Sequence, residues 1–528
     1  MNVEIDGNSL TIKKLIDVIY NKAGVELSSD KGFKDKLIGS RKFLEDYIEK
    51  GYPIYGVTTG FGDSCHNQIN PVKSEKLQES LVAFHGIGVG KYFTPEESRA
   101  SVLVRLNSNV KGYSAITKDL ADLMVEFINR SIIPVIPVYG SVGASGDLTP
   151  LSYIAAALTG KRKVFYKGRI VDSAEALKSE SLKPVVLQPK EGLALMNGTS
   201  VMTAVSSIAW YKANKLANIA DFITAATVEI INGNEIPYRR KVSEIKNHTG
   251  QIESAENIYF VLKDSKRVHK YEDLLDKIGT IQSDLYKKHD IKIQDRYSLR
   301  CTPQIIGVLR DTLHFTKQMI ENELNSANDN PLIDSENSVI YNSGNFYGGH
   351  ICAAADYLRI ALANAADLSD KQAELIIDGK FNNLTENLIP QISDTDEMGL
   401  YHGFKAAQIS ITALCSEINY MAGPVSIHSR PTESLNQDKV SLGTISARKL
   451  AELIDMLFYQ YSIHLLAVMQ AIDLIGVDDF GSVTQAVYKK IRAFTNFVEQ
   501  DRPLDTEAEK LKIFLEQEEI FDDLRNIK

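Results

Sequence analysis

The longest helical patterns in this chain leave it the fewest choices of fold. Apolar residues recur at helical spacing from Val201 to about Ile231, and again over roughly 305–327, 350–378, 404–422 and 445–475. These runs exceed the usual helix of about 8 to 20 residues. A helix that is apolar on several faces must be covered by other helices, because water would otherwise meet its remaining apolar sides. The pattern therefore predicts a mainly α fold, a large bundle of long antiparallel helices with a smaller loop-rich N-terminal part and minor strands. Residues 1–200 form that N-terminal part and residues 201–528 the long-helix bundle, one structural unit with no clear linker. Helix burial on this scale also predicts a homo-oligomer.

Within the N-terminal part, shorter helical patterns run over 77–84, 98–107, 118–129 and 151–158, and Lys163 to Ile170 reads as a small hairpin. Ile133-Pro134-Val135-Ile136-Pro137 delivers the chain, extended, into Tyr139-Gly140-Ser141-Val142-Gly143-Ala144-Ser145-Gly146-Asp147. Gly140, Gly143 and Gly146 permit positive φ angles and close approaches that a Cβ forbids. Ala144-Ser145-Gly146 also has a chemistry of its own. The Gly146 amide nitrogen can attack the Ala144 carbonyl carbon, since glycine does not block the attack and alanine crowds the carbonyl least. Serine can then lose its hydroxyl as water. The product is a five-membered ring with an exocyclic methylidene, a strong electrophile made from the chain. A phosphate cradle is disfavoured: no Gly-x-x-x-x-Gly-Lys-Ser/Thr occurs and no Lys follows the loop.

Net charge bounds the partners. At −9 the chain lacks the basic balance that nucleic acid or an anionic membrane requires, whereas a small neutral or zwitterionic substrate suits it. The start, Met1-Asn2-Val3-Glu4-Ile5-Asp6, is not a secretory signal, and the apolar run from Ile463 to Val477 is broken by His464, Gln470 and Asp473, too short and polar to span a bilayer. A cytoplasmic protein is expected. Cys65, Cys301, Cys352 and Cys415 stand singly, so free buried thiols are expected rather than disulfides or a metal site.

Five further stretches interrupt apolar patterns with polar or glycine residues: Tyr55 to Asp63; Asn197-Gly198-Thr199; Gln294 to Arg300; Ser326 to Asp334 with Gly344-Asn345-Phe346; and Cys415-Ser416-Glu417 followed by Asn436-Gln437-Asp438. Singly each has an ordinary reading, as turn, solvated arginine or surface carboxylate. Together with Gly143-Ala144-Ser145-Gly146-Asp147, in this order and from about residue 50 to about 475, they resemble the histidine, phenylalanine and tyrosine ammonia-lyase family.

The resemblance implies a 4-methylideneimidazole-5-one group formed from Ala144, Ser145 and Gly146, with no metal and no external cofactor. It further implies a mostly helical homotetramer with active sites shared between subunits, acting on a small amino acid. Tyr55 resembles the family's catalytic tyrosine, a phenol of ordinary pKa about 10 that its site must activate. Arg300 matches the carboxylate clamp, whose planar fork meets two oxygens at once. Asn197, Gln294 and Tyr297 match positions that bind the ring, the substrate or the catalytic tyrosine. Phe346 matches a pocket aromatic, Glu417 a carboxylate toward the substrate's amine or side chain, and Gln437 a further substrate contact.

Substrate choice in the family is linked to the pair Phe84-His85. Phenylalanine enzymes resemble Phe-Leu here, many tyrosine enzymes His-Leu, and histidine enzymes end in His after a small or sulfur-containing residue, so Phe followed by His departs from all three. His85 favours a polar ring, imidazole before phenol, because a buried imidazole facing a phenyl would lack a partner. Tyr401 to Gly443 and Val57-Thr58-Thr59-Gly60 look more like phenylalanine enzymes. The expected reaction is loss of ammonia from L-histidine to give urocanate, with tyrosine or phenylalanine elimination or an aromatic 2,3-aminomutase as alternatives.

Overall fold

The computed structural model describes residues 2–280, 286, 288, 289, 292–392, 394, 396, 397 and 399–526. Helices dominate it. The longest are Ser200–Ile230, Thr302–Leu324, Gly349–Ile377 and Gly443–Ile475, within a few residues of the apolar patterns that predict them. The predicted 404–422 helix is Lys405–Met421, and the shorter ones are Ser74–Phe84, Pro95–Asn109, Lys118–Asn129 and Leu148–Leu158. Strands are minor and form four small sheets. The hairpin read from Lys163 to Ile170 is the antiparallel pair Lys163–Tyr166 and Arg169–Asp172, joined by Ile133–Pro134 on its other edge.

Contacts gather the chain into two compact units. One comprises residues 1–211, 316–357 and 424–451; the other comprises 212–315, 358–423 and 452–528. The division falls inside the four longest helices, so each contributes residues to both units. No helix among the described residues is long and apolar enough to cross a membrane. None of the four cysteines is in a disulfide; Cys352 and Cys415 are buried as expected, whereas Cys301 is only half-buried and Cys65 is exposed, because it lies on a short surface turn rather than in a helix core.

The first unit is built on one large apolar cluster in which Pro95–Asn109 and Leu148–Leu158 are buried over nearly their whole length. Thr94 opens Pro95–Asn109 with a capping box, its hydroxyl accepting from Glu97 N at 3.1 Å while the Glu97 carboxylate accepts from Thr94 N at 2.9 Å. Two fully buried cations lie within this unit among the described residues. Arg105 is wholly buried and donates to Asn109, Ser108, Asn328 and the Asn197 carbonyl. Lys190 and Asp329 are also fully buried and meet at 2.5 Å; burial pulls the ammonium pKa down while Asp329 opposes the shift. In the second unit, buried Asp221 accepts from Arg310, Ser254 and Asn257.

A buried ion pair contributes little against an apolar replacement, but breaking it strands a charge. Lys190→Met should therefore destabilise the protein by about 3–5 kcal/mol, whereas Lys190→Met combined with Asp329→Leu should recover most of that loss. Urea unfolding of the three proteins checks this, and a double variant as unstable as the single one would contradict the assignment.

Candidate active site

Backbone conformation builds the centre of the site. Gly143 and Gly146 take φ of 68° and 75°, the left-handed region that glycine alone enters freely. A Cβ on Gly146 would lie 2.0 Å from the Gly198 carbonyl oxygen, and one on Gly143 would lie 2.3 Å from the Ser441 hydroxyl. The close approach allows two backbone hydrogen bonds. Asp147 N donates to Gly198 O at 2.7 Å, and Gly198 N donates to Ser145 O at 3.2 Å. The Asn197 side-chain amide adds a second donor to Ser145 O at 3.1 Å. Two N–H groups thus converge on one carbonyl oxygen of the tripeptide, an arrangement that stabilises negative charge developing there.

Neighbouring side chains hold this geometry. The Asp147 carboxylate accepts from Val201 N and Met202 N, both at 2.9 Å, and so ties the loop to the N-terminus of Ser200–Ile230. It also accepts from Thr444 and Ser141, and burial raises its pKa to about 6. From the other side, Arg105 donates to Asn197 O at 3.1 Å and to Asn328 Oδ1 at 3.0 Å. Its guanidinium fills the space a side chain at Gly198 would need, and burial lowers its pKa to about 10. Asn197 Oδ1 is buried without a hydrogen-bond partner among the described residues.

Tyr55 is presented by the turn Ile54–Thr58. Gly56, at φ 65°, leaves no room for a Cβ against Leu193 and Phe61. Gln78 and Ser74 of Ser74–Phe84 clasp the turn by donating to Gly56 O at 2.9 Å and Val57 O at 2.8 Å. The Tyr55 phenol oxygen accepts from Gly62 N at 2.8 Å. Burial raises the phenol pKa above its ordinary value, the Gly62 amide opposes this, and Cys65 and Glu433 reinforce the rise.

Tyr55, Ala144, Ser145, Asn197, Phe346 and Gln437 line one cavity of about 780 Å³, within the size range of small-molecule sites. Gln437 reaches the Ser145 hydroxyl at 3.4 Å. Asn330, Ser343, Asp438, Lys439 and Cys65 line it as well, residues that sequence reasoning had not assigned. Phe84 and His85 end the Ser74–Phe84 helix and are not among the lining residues. Their rings stand 4.2 Å apart, His85 Nδ1 is 3.0 Å from Leu81 O, and burial lowers the imidazole pKa. Gln294, Tyr297, Arg300 and Glu417 belong to the second unit. There Arg300 stacks on Tyr297 at 4.6 Å, and Gln294, Tyr297 and Glu417 are exposed.

The turn before Gln437 had no signal in the sequence. Glu433, Ser434 and Leu435 take φ of 49°, 53° and 63°, three successive left-handed residues, none of them Gly or Asn. Such a conformation costs on the order of 1–2 kcal/mol per residue, and nothing in Glu-Ser-Leu announces it. Glu433 Oε1 accepts from Asp63 N at 2.9 Å.

A family model described as aromatic amino acid lyase matches residues 10–493. The chain is 37% identical over 500 residues to the histidine ammonia-lyase of Alkaliphilus oremlandii, covering 95% of this chain and 94% of that one. Among solved structures it resembles tyrosine aminomutase from Streptomyces globisporus, at 34% identity, TM-score 0.93 and 99% and 98% coverage of the two chains. It also resembles histidine ammonia-lyase from Trypanosoma cruzi, at 27% identity, TM-score 0.87 and 99% and 95% coverage.

The close approach of Gly146 to Gly198 is directly testable. Gly146→Ala should break the bond from Asp147 N to Gly198 O, and the Asp147 amide should exchange with solvent about 10- to 100-fold faster. Unchanged exchange would mean that the loop tolerates a Cβ at this position.

Proposed function

Because the chain belongs to the aromatic amino acid lyase family, we propose that it eliminates ammonia from L-histidine to give urocanate. The observation that carries the reaction is the bent Ala144-Ser145-Gly146 segment with two N–H donors on Ser145 O, facing a cavity that Tyr55 also lines. The substrate rests on the name of the relative that is 37% identical over nearly the whole chain.

The residues present suit the prosthetic ring the family implies, since Gly146 sits where any Cβ would collide with Gly198. Formed by condensation of Ala144, Ser145 and Gly146 with loss of two waters, a 4-methylideneimidazole-5-one supplies an electrophile for the substrate amine. Asn197 and Gly198 hold negative charge at the Ser145 oxygen. Tyr55 removes the β-proton, and the Gly62 amide stabilises the phenolate that must exist before it can do so. His85 lies outside the lining of this cavity; its Nδ1–H donates to Leu81 O, which leaves Nε2 as the acceptor it brings to a site shared between copies, suited to a substrate ring with an N–H or O–H. Phe346 packs against the substrate, with Gln437 beside Ser145.

Arg300 binds the carboxylate in a cytoplasmic homotetramer whose sites draw on more than one copy, Gln294 and Tyr297 completing the contacts and Glu417 meeting the amine or side chain. A second reading, an aromatic 2,3-aminomutase, is favoured by one observation: the tyrosine aminomutase structure is more similar, in identity and TM-score, than the Trypanosoma cruzi histidine ammonia-lyase.

The test is ultraviolet product formation with histidine, tyrosine and phenylalanine in parallel. Urocanate from histidine is expected; a β-amino acid, which brings no new absorbance and is found by chromatography of the same mixtures, would instead establish the aminomutase. Tyr55→Phe should lower kcat by about 10²- to 10⁴-fold. His85→Leu should move relative kcat/KM toward phenylalanine by roughly 30- to 1,000-fold, and unchanged ratios would remove His85 from substrate choice.

A further inference from the structure

Two hydrogen bonds in series connect Glu433 to the Tyr55 phenol. Glu433 Oε1 accepts from Asp63 N at 2.9 Å, and the preceding amide, Gly62 N, donates to Tyr55 Oη at 2.8 Å. Glu433 is itself fixed: its other oxygen accepts from Asn436 Nδ2 at 2.7 Å. The fit is close, since a Cβ on Gly62 would lie 2.4 Å from Glu433 Oε1. The carboxylate is exposed in the chain, so apolar burial does not explain the three left-handed residues that place it. Strain of this kind persists where the surroundings enforce it, and here the turn touches both reacting loops, through Glu433 at Asp63 and through Gln437 at Ser145.

We propose that Glu433 is a positioning residue that holds the Gly62–His66 turn so that the Gly62 amide stays on the Tyr55 phenol oxygen. The proposal rests on the reading of Tyr55 as the base. Glu433 acts by geometry and against its own charge: an N–H donor on the oxygen favours phenolate, whereas a nearby carboxylate disfavours it. Cys65 on the same turn is the other titratable group that bears on Tyr55, and Asp438 and Lys439 line the shared cavity.

Charge and geometry predict opposite signs. Glu433→Gln keeps an acceptor for Asp63 N and removes the charge, so the phenol pKa should fall by about 0.2–0.7 units. Glu433→Ala removes both; loss of an amide bond to phenolate outweighs the lost charge, and the pKa should rise by about 1 unit. Asn436→Ala, which frees the carboxylate, should shift it upward by less. Two measurements on the full-length protein read this: the pH titration of the fluorine resonance of a fluorotyrosine placed at position 55, and the ascending limb of kcat/KM against pH. A fall in both Glu433 variants, or no change in Glu433→Ala, would overturn the proposal; should Glu433→Ala fail to fold, no rise in Asn436→Ala would do so. The base assignment fails separately. If Tyr55→Phe stays active, Tyr55 is not the base, while the fluorine titration still reports whether Glu433 holds the amide.

Discussion

Everything in the first unit's site depends on one backbone contact, the approach of Gly146 to Gly198 at a distance that admits no side chain on Gly146. The contact brings the Asn197–Gly198 peptide alongside the tripeptide, and only there can the Gly198 amide and the Asn197 side chain meet on Ser145 O. It has to be held from both sides because each glycine, left free, samples many conformations. Asp147 holds one side by joining the loop to the start of a 31-residue helix; Arg105 holds the other by bonding the Asn197 carbonyl.

The charges that do this are costly. Arg105, Asp147, Lys190 and Asp329 are all buried, and each is acceptable only because it is hydrogen-bonded or paired with an opposite charge. Such a network disfavours alternative packings, since any shift strands a charge or a donor. That rigidity suits a site whose central segment is bent rather than relaxed.

The helices were legible because their signal is local: apolar spacing at 3.6 residues depends on near neighbours only, and the four longest helices fall within a few residues of their patterns. Ala144-Ser145-Gly146 and Asn197-Gly198 were legible for a different reason, since glycine advertises unusual backbone. Arg105 was not, because an arginine in a helical pattern looks like a solvated one until the chain brings Asn328 to it. The Lys190–Asp329 pair joins residues far apart in the chain, and each alone reads as surface. Glu433 was hidden further, by left-handed backbone at residues that rarely adopt it.

If the bent tripeptide becomes a ring, the peptide carrying residues 144–146 from active protein is lighter by two water molecules, a loss confined to Ala144, Ser145 and Gly146. A peptide of unmodified mass from protein that turns over histidine would contradict it.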